Sequence, residues 1–178
     1  MPSPVIRRAR ADDAPALSTL GRSTFIETFV HGFRMNYPEA DLQPFLAQAY
    51  APELFSRQIS DPASGVWIGE RDGVELAYAT AGPTGLPHPE AEPADGELYR
   101  LYVANAAQGL GLGRQLLEAT LAWLERDGPR RLWIGVWSGN LKAQRLYAAY
   151  GFDKVGEYQF PVGRTLDREF ILRREPSR

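Results

Sequence analysis

Glu97-Leu98-Tyr99-Arg100-Leu101-Tyr102-Val103, followed closely by Gln108-Gly109-Leu110-Gly111-Leu112-Gly113-Arg114, is the stretch on which the reading of this chain turns. The first run is apolar and aromatic and reads as a strand. From Gly111 to Arg126 the pattern changes to an amphipathic helix, with Leu112, Leu116, Ala119 and Trp123 on one stripe and Asp127-Gly128-Pro129 as its stop. Glycines between a strand and a helix let backbone N–H groups converge on one point, and the helix start adds the positive end of its dipole. Together they make a cradle for a pyrophosphate. Other readings compete for the same residues. A dinucleotide fingerprint would need a third glycine where Leu116 stands. A triphosphate-binding loop would need Gly-Lys-Ser/Thr, whereas Gly113 is followed by Arg114-Gln115. A flexible turn without a ligand is the plain alternative.

Working outward, Arg131–Trp137 reads as a strand, Asn140–Tyr150 as a helix ended by Gly151, and Phe152–Phe160 and Glu169–Leu172 as closing strands. Upstream, Val5-Ile6-Arg7 is a short strand and Ala14–Leu20 a helix that Asp12 or Asp13 can cap, with Pro15 in its first turn. Phe25, Phe29 and Phe33 recur every four residues, which places them on one helix face against the core. Pro38 and Pro44 then interrupt the pattern, and Asp41–Tyr50 and Pro52–Ile59 suit short helices. Val66–Glu70 and Val74–Thr80 flank Arg71-Asp72-Gly73, a hairpin signal. Gly82–Asp95 holds four prolines and reads as a loop of unassigned role. Strands alternating with helices predict an α/β layered fold around a central sheet.

At 178 residues the chain is expected to form one domain, with apolar and charged fractions of 44% and 24% that suit a globular protein. A net charge of −2 argues against nucleic acid as a partner. No apolar stretch suits a membrane span or a secretion signal, so no membrane partner is expected and the location is expected to be cytoplasmic. The absence of cysteine removes disulfides, thiolate metal sites and a covalent cysteine mechanism. His31 and His88, the only histidines, lack ligand neighbours at metal-binding spacing, so no metal site is expected.

A second constellation lies downstream. Asn140, Ala143 and Tyr147, spaced three and four apart, share one helix face beside the end of the Leu132-Trp133-Ile134-Gly135-Val136 strand. On its own, Tyr147 reads as readily as a packed core tyrosine as it does a proton donor. Taken together, however, the two constellations resemble the GNAT acetyltransferases. Leu101-Tyr102-Val103 followed by Gln108–Gly113 resembles that superfamily's strand and Gln/Arg-x-x-Gly-x-Gly/Ala loop. Asn140, Ala143, Tyr147 and Gly151-Phe152 resemble its second cofactor-binding segment. Thr24–Phe29, Trp133–Trp137 and Val162–Arg168 further resemble the bacterial polyamine N-acetyltransferase branch, a less specific likeness.

The resemblance implies a GNAT-type domain over residues 1–178, with a mixed central sheet of about seven strands flanked by helices. It implies acetyl-CoA as co-substrate and direct attack by an amine while both are bound. The amides of Gly109, Gly111, Gly113 and Arg114, within the Gln108, Leu110 and Leu112 loop, would hold the pyrophosphate. Leu101, Tyr102 and Val103 would pair with pantetheine, and Val103 would set the carbonyl near an N–H. Asn140 would bond the pantetheine arm beside Ala143, and Tyr147 would protonate the leaving thiolate. Glu97 is the expected base, with a solvated strand-end carboxylate as the alternative; Tyr99 would line the acceptor pocket. A small-molecule amine, such as a polyamine, is the expected acceptor, approaching Phe29–Tyr37 and Tyr158–Phe160. Glu27, Glu39, Asp41 and Glu157 would draw in a cation. A protein N-acetyltransferase and a non-catalytic acyl-CoA-binding module stay open as alternatives. Dimerisation is common in the resembled family, so a homodimer is carried as an expectation that no motif specifies.

Overall fold

The computed structural model describes residues 3–177. Apolar runs divided by turn residues form seven strands: β1 (Val5–Arg8), β2 (Gly65–Arg71), β3 (Val74–Pro83), β4 (Gly96–Val103), β5 (Leu132–Trp137), β6 (Asp153–Val162) and β7 (Thr165–Arg174). Five α-helices accompany them: α1 (Ala14–Phe25), α2 (Glu39–Ala49), α3 (Pro52–Ser60), α4 (Leu112–Leu124) and α5 (Leu141–Ala149). The strands form one mixed sheet in the order β1-β2-β3-β4-β5-β7-β6. β4 and β5 run parallel, joined across by α4, and every other neighbouring pair is antiparallel.

Alternation along the strands divides the core between the two faces of the sheet. Ala77, Ala79 and Ala81 of β3 turn toward α4, where small side chains let Leu112, Leu116 and Leu117 pack close to the sheet. Tyr78 turns the other way, into a layer with Leu17, Phe25, Leu46 and Phe55 from α1, α2 and α3. Each fully buried leucine here stabilises the fold by roughly 1.5–3 kcal/mol. No helix among the described residues is long and apolar enough to cross a membrane.

The fold class matches the sequence expectation, and several details differ. The first helix does not stop at Leu20. It continues to Phe25 and then widens into a π-helical turn over Ile26–Gly32. Phe25, Phe29 and Phe33 stack in series along it, 4.8 and 5.8 Å apart. The helix expected over Asp41–Tyr50 spans Glu39–Ala49 with Pro44 inside it, where buried Leu42 and Leu46 hold it to the core on either side of the lost hydrogen bond. On α4 the buried face is broader than the predicted stripe: Leu117, Thr120, Leu121 and Leu124 join Leu112 and Leu116, while Ala119 and Trp123 are only partly covered. The last two strands extend through the predicted tail, turning at Gly163-Arg164.

The proline-rich segment, Thr84–Asp95, is pinned across the end of the sheet. Buried Trp133 donates its indole N–H to Asp95 at 2.7 Å, His88 packs on the Trp133 ring at 5.0 Å, and Arg131 donates to the Glu90 carbonyl at 2.9 Å. Asp95→Ala would leave the Trp133 indole N–H buried without an acceptor, at a cost of about 1–3 kcal/mol. Urea unfolding should show that loss, with Asp95→Asn, which retains an acceptor, losing less. Equal midpoints for wild type and Asp95→Ala would contradict this anchoring.

Candidate active site

The parallel pairing of β4 with β5 covers only Gly96–Leu98 against Leu132–Ile134. Beyond it β4 stays with β3 as far as Val103, and β5 stays with β7 as far as Trp137. The strands therefore splay, and each turns an edge without a strand partner toward the other. A β-bulge adds to the divergence. Thr80 pairs with Arg100 and Ala81 with Leu98, leaving Tyr99 as an extra residue in β4. A cavity of about 290 Å³ occupies the split, walled by Leu98–Tyr102 on one side and Ile134–Trp137 on the other.

At the far end of β4 the chain passes through a 3₁₀ turn, Asn105–Ala107, into the glycine loop. Gly109 and Gly111 both take positive φ, +85° and +77°, a conformation that suits glycine. Gly111 is the N-cap of α4 and offers its first turn no side-chain acceptor. The N–H groups of Leu112, Gly113 and Arg114 have no preceding carbonyl in the helix to bond, so they are available to an external anion. Gln108 braces the loop, donating to Asn105 at 3.1 Å and accepting from Lys142 at 3.4 Å.

On the α5 side, Asn140 caps the helix by accepting the Ala143 N–H at 3.1 Å, which directs its amide NH₂ elsewhere. Asn140, Ala143 and Tyr147 all line the cavity. Tyr147 is 6% exposed, and burial raises its pKa above that of an ordinary phenol. At neutral pH it keeps its proton.

The opposite wall carries carboxylates. Glu97 accepts from the Gly85 N–H at 2.7 Å and the Thr84 hydroxyl at 3.1 Å, so the proline-rich segment seats it. Burial raises its pKa, and these donors partly offset the rise. Asp167 accepts from Tyr37 at 2.5 Å, and its pKa is also raised by burial. Glu169 accepts from Tyr158 at 2.9 Å. Burial pushes Glu169 up to about 7, with the Tyr158 hydrogen bond opposing and the Asp167 charge adding to the shift. All three line the cavity with Tyr158 and Phe160. Gly135 makes room for them, because a Cβ there would lie 2.7 Å from the Tyr158 hydroxyl.

Residues 26–152 match the family model described as Acetyltransferase (GNAT) family. The chain belongs to the GNAT acetyltransferase family. An uncharacterised N-acetyltransferase from the pepI 3′ region of Lactobacillus delbrueckii subsp. lactis is 28% identical over 162 residues, 91% of each chain. The PaiA N-acetyltransferase of Thermoplasma acidophilum, solved with coenzyme A, shares the fold at TM-score 0.74 and 17% identity, over 98% of this chain and 99% of its own. YncA of Salmonella typhimurium, described as a putative acetyltransferase and solved with acetyl-CoA, shares it at TM-score 0.66 and 24% identity, over 99% and 96%.

Within this acetyltransferase, Glu97, Leu101, Tyr102, Asn140, Ala143 and Tyr147 meet at one cavity, and Tyr99 joins its lining. Val103 and Gln108–Arg114 lie past the cavity, toward α4. The carboxylates expected to attract a cation, Glu27, Glu39, Asp41 and Glu157, do not line the cavity and have partners outside it. Glu27 accepts the Asn105 N–H at 2.8 Å, Glu39 binds Gln43, Asp41 binds Arg164, and Glu157 pairs with Lys154 and Arg168. Asp167 and Glu169 do line the cavity, and sequence reasoning missed both as site residues. Among the described residues no cluster of His, Asp and Glu could hold a metal.

Glu169 makes stability depend on pH. Between its ordinary value of 4.5 and about 7, the folded protein holds a proton that the unfolded chain has released. Folding is therefore disfavoured progressively as pH rises through that window, and the penalty is complete above it. Glu169→Gln removes the penalty, so the variant should melt several degrees above wild type at about pH 8 and nearly with it at about pH 4. A pH-independent difference in melting temperature would contradict the assignment.

Proposed function

We propose that this chain transfers the acetyl group of acetyl-CoA to the primary amine of a small molecule, with both bound together in the β4–β5 split. The observation that carries the reading is the pairing of an uncapped, glycine-lined helix start with a cavity that has a protonated phenol on one wall and buried carboxylates on the other. Relatives of the same fold solved with coenzyme A and acetyl-CoA support it. The residues present also suit such a co-substrate. The amides of the first turn of α4 lack a capping side chain, and β4 beyond Leu98 has a free edge on its β5 side.

Acetyl-CoA supplies an acyl group activated as a thioester. The amides of Gly109, Gly111, Gly113 and Arg114 hold its pyrophosphate. The Leu101–Val103 edge pairs with the pantetheine amides, and the Val103 region directs an N–H at the carbonyl oxygen. Asn140 donates its free NH₂ to the same arm. The acceptor's ammonium must lose a proton before its nitrogen can attack. Glu169, poised near neutrality, accepts that proton, while Glu97, fixed by Thr84 and Gly85, stays as a second counter-charge or relays through water. As the C–N bond forms and the C–S bond breaks, Tyr147 gives its proton to sulfur. With no cysteine in the chain, no cysteinyl acyl-enzyme is available. A polyamine is one acceptor of this class, since a terminal ammonium suits the carboxylate wall.

Thiol release from acetyl-CoA against a panel of small amines, amino acids and lysine peptides tests the proposal. Tyr147→Phe should lower kcat by about 10²-fold or more while leaving coenzyme A affinity unchanged. Wild-type kcat/KM should rise as pH passes about 7, and Glu169→Gln should lose both that rise and most of the rate. If acetyl-CoA binds and no amine is turned over, the chain is instead a binding module.

A further inference from the structure

Arg100 stands apart from the other charges of the cavity. Its guanidinium stacks over the Tyr50 ring at 4.3 Å, and both residues line the cavity. No carboxylate among the described residues pairs with it, whereas eleven ion pairs are formed elsewhere. A guanidinium cannot shed its charge by losing a proton, so enclosing one without a counter-ion is costly.

Its surroundings offer neutral hydroxyls and no carboxylate. Thr80 lies directly across from Arg100 in the β3–β4 ladder, and its hydroxyl is buried without a hydrogen-bond partner. Tyr78, two residues along the same face of β3, has a fully enclosed hydroxyl in the same state. Arg100 therefore faces the cavity with two unpartnered hydroxyls behind it and no anion to receive it. Asp167 and Glu169 line the same cavity and supply acceptors. Phe25, Phe45 and Phe160 line the same cavity, and Phe45 stands 6.4 Å from Tyr50 and 6.0 Å from Phe160.

We propose that Arg100 recognises an anionic group on the acceptor, so that the amine substrate is a small zwitterion with an acidic oxyanion group and an apolar body. The proposal rests on the acetyl-transfer reading and narrows its acceptor. The ammonium docks at Glu169 and Asp167, the oxyanion group at Arg100, and the aromatic residues cover what lies between. Such a site disfavours polyamines, because a second ammonium would meet the guanidinium.

The test compares acceptors that differ only in the acid group: leucine with isoamylamine, phenylalanine with phenethylamine, and γ-aminobutyrate with propylamine, with spermidine alongside. Turnover is measured by thiol release and binding by calorimetry in the presence of coenzyme A. At least one acid should exceed its matched amine by about tenfold or more in kcat/KM, as expected where a site's polar groups would otherwise go unpaired. Arg100→Gln should erase that preference and Arg100→Lys should keep part of it, each with unchanged coenzyme A affinity as evidence of an intact fold. Matched amines or spermidine used as well as the acids by wild type would overturn the proposal and leave acetyl transfer standing. Acids that bind in an Arg100-dependent way without turnover would sink the acetyl-transfer reading and retain the anion site. If Arg100→Gln also loses coenzyme A affinity, the wild-type acid-to-amine ratio decides alone.

Discussion

The parallel ladder between β4 and β5 ends after Leu98 and Ile134, and the site depends on that early end. Each arm of the split is secured from outside, β4 by its long ladder with β3 and β5 by its ladder with β7. The bulge at Tyr99 gives β4 the extra residue that bends it away, and α4 follows from the end of that bent strand. The cavity is thus built into the sheet, with its walls supplied by strands that hydrogen bonding holds on their far sides. Backbone left unpaired inside a protein needs a partner, and an extended amide-bearing chain could pair with such an edge.

Burial then sets the electrostatics. One wall keeps a phenol protonated because burial penalises its anion. The other raises Glu97, Asp167 and Glu169, with Glu169 pushed up to about 7. Thr84 and Gly85 oppose the rise at Glu97, since their hydrogen bonds favour its charged form. Glu169 has the single Tyr158 donor and the neighbouring charge of Asp167.

How much of this the sequence revealed follows from how local each signal is. Gly109 and Gly111 could be read because a positive-φ turn before an apolar stripe is encoded within ten residues. Asn140 and Tyr147 could be paired because helix geometry fixes which residues share a face. Asp167 and Glu169 could not. Flanked by Arg164 and Arg168, they resemble a solvated strand until β5 and β6 close on either side of β7. The faint available signal was their spacing of two, which puts both on one strand face. The role of the proline-rich loop was illegible for a similar reason, since its anchors, Glu97 and Trp133, lie outside it. Pro44 is tolerated inside α2 because packing by Leu42 and Leu46 overrides the local penalty that its ring imposes.

Amide hydrogen exchange with and without coenzyme A tests the central claim, that the split and the glycine loop form one binding site. The account predicts slowed exchange on binding in Gly109–Arg114 and in Leu101–Val103 together, with the β1–β2 edge of the sheet unchanged. Protection confined to the loop, with the β4 edge still exchanging freely, or protection at neither segment, would contradict it.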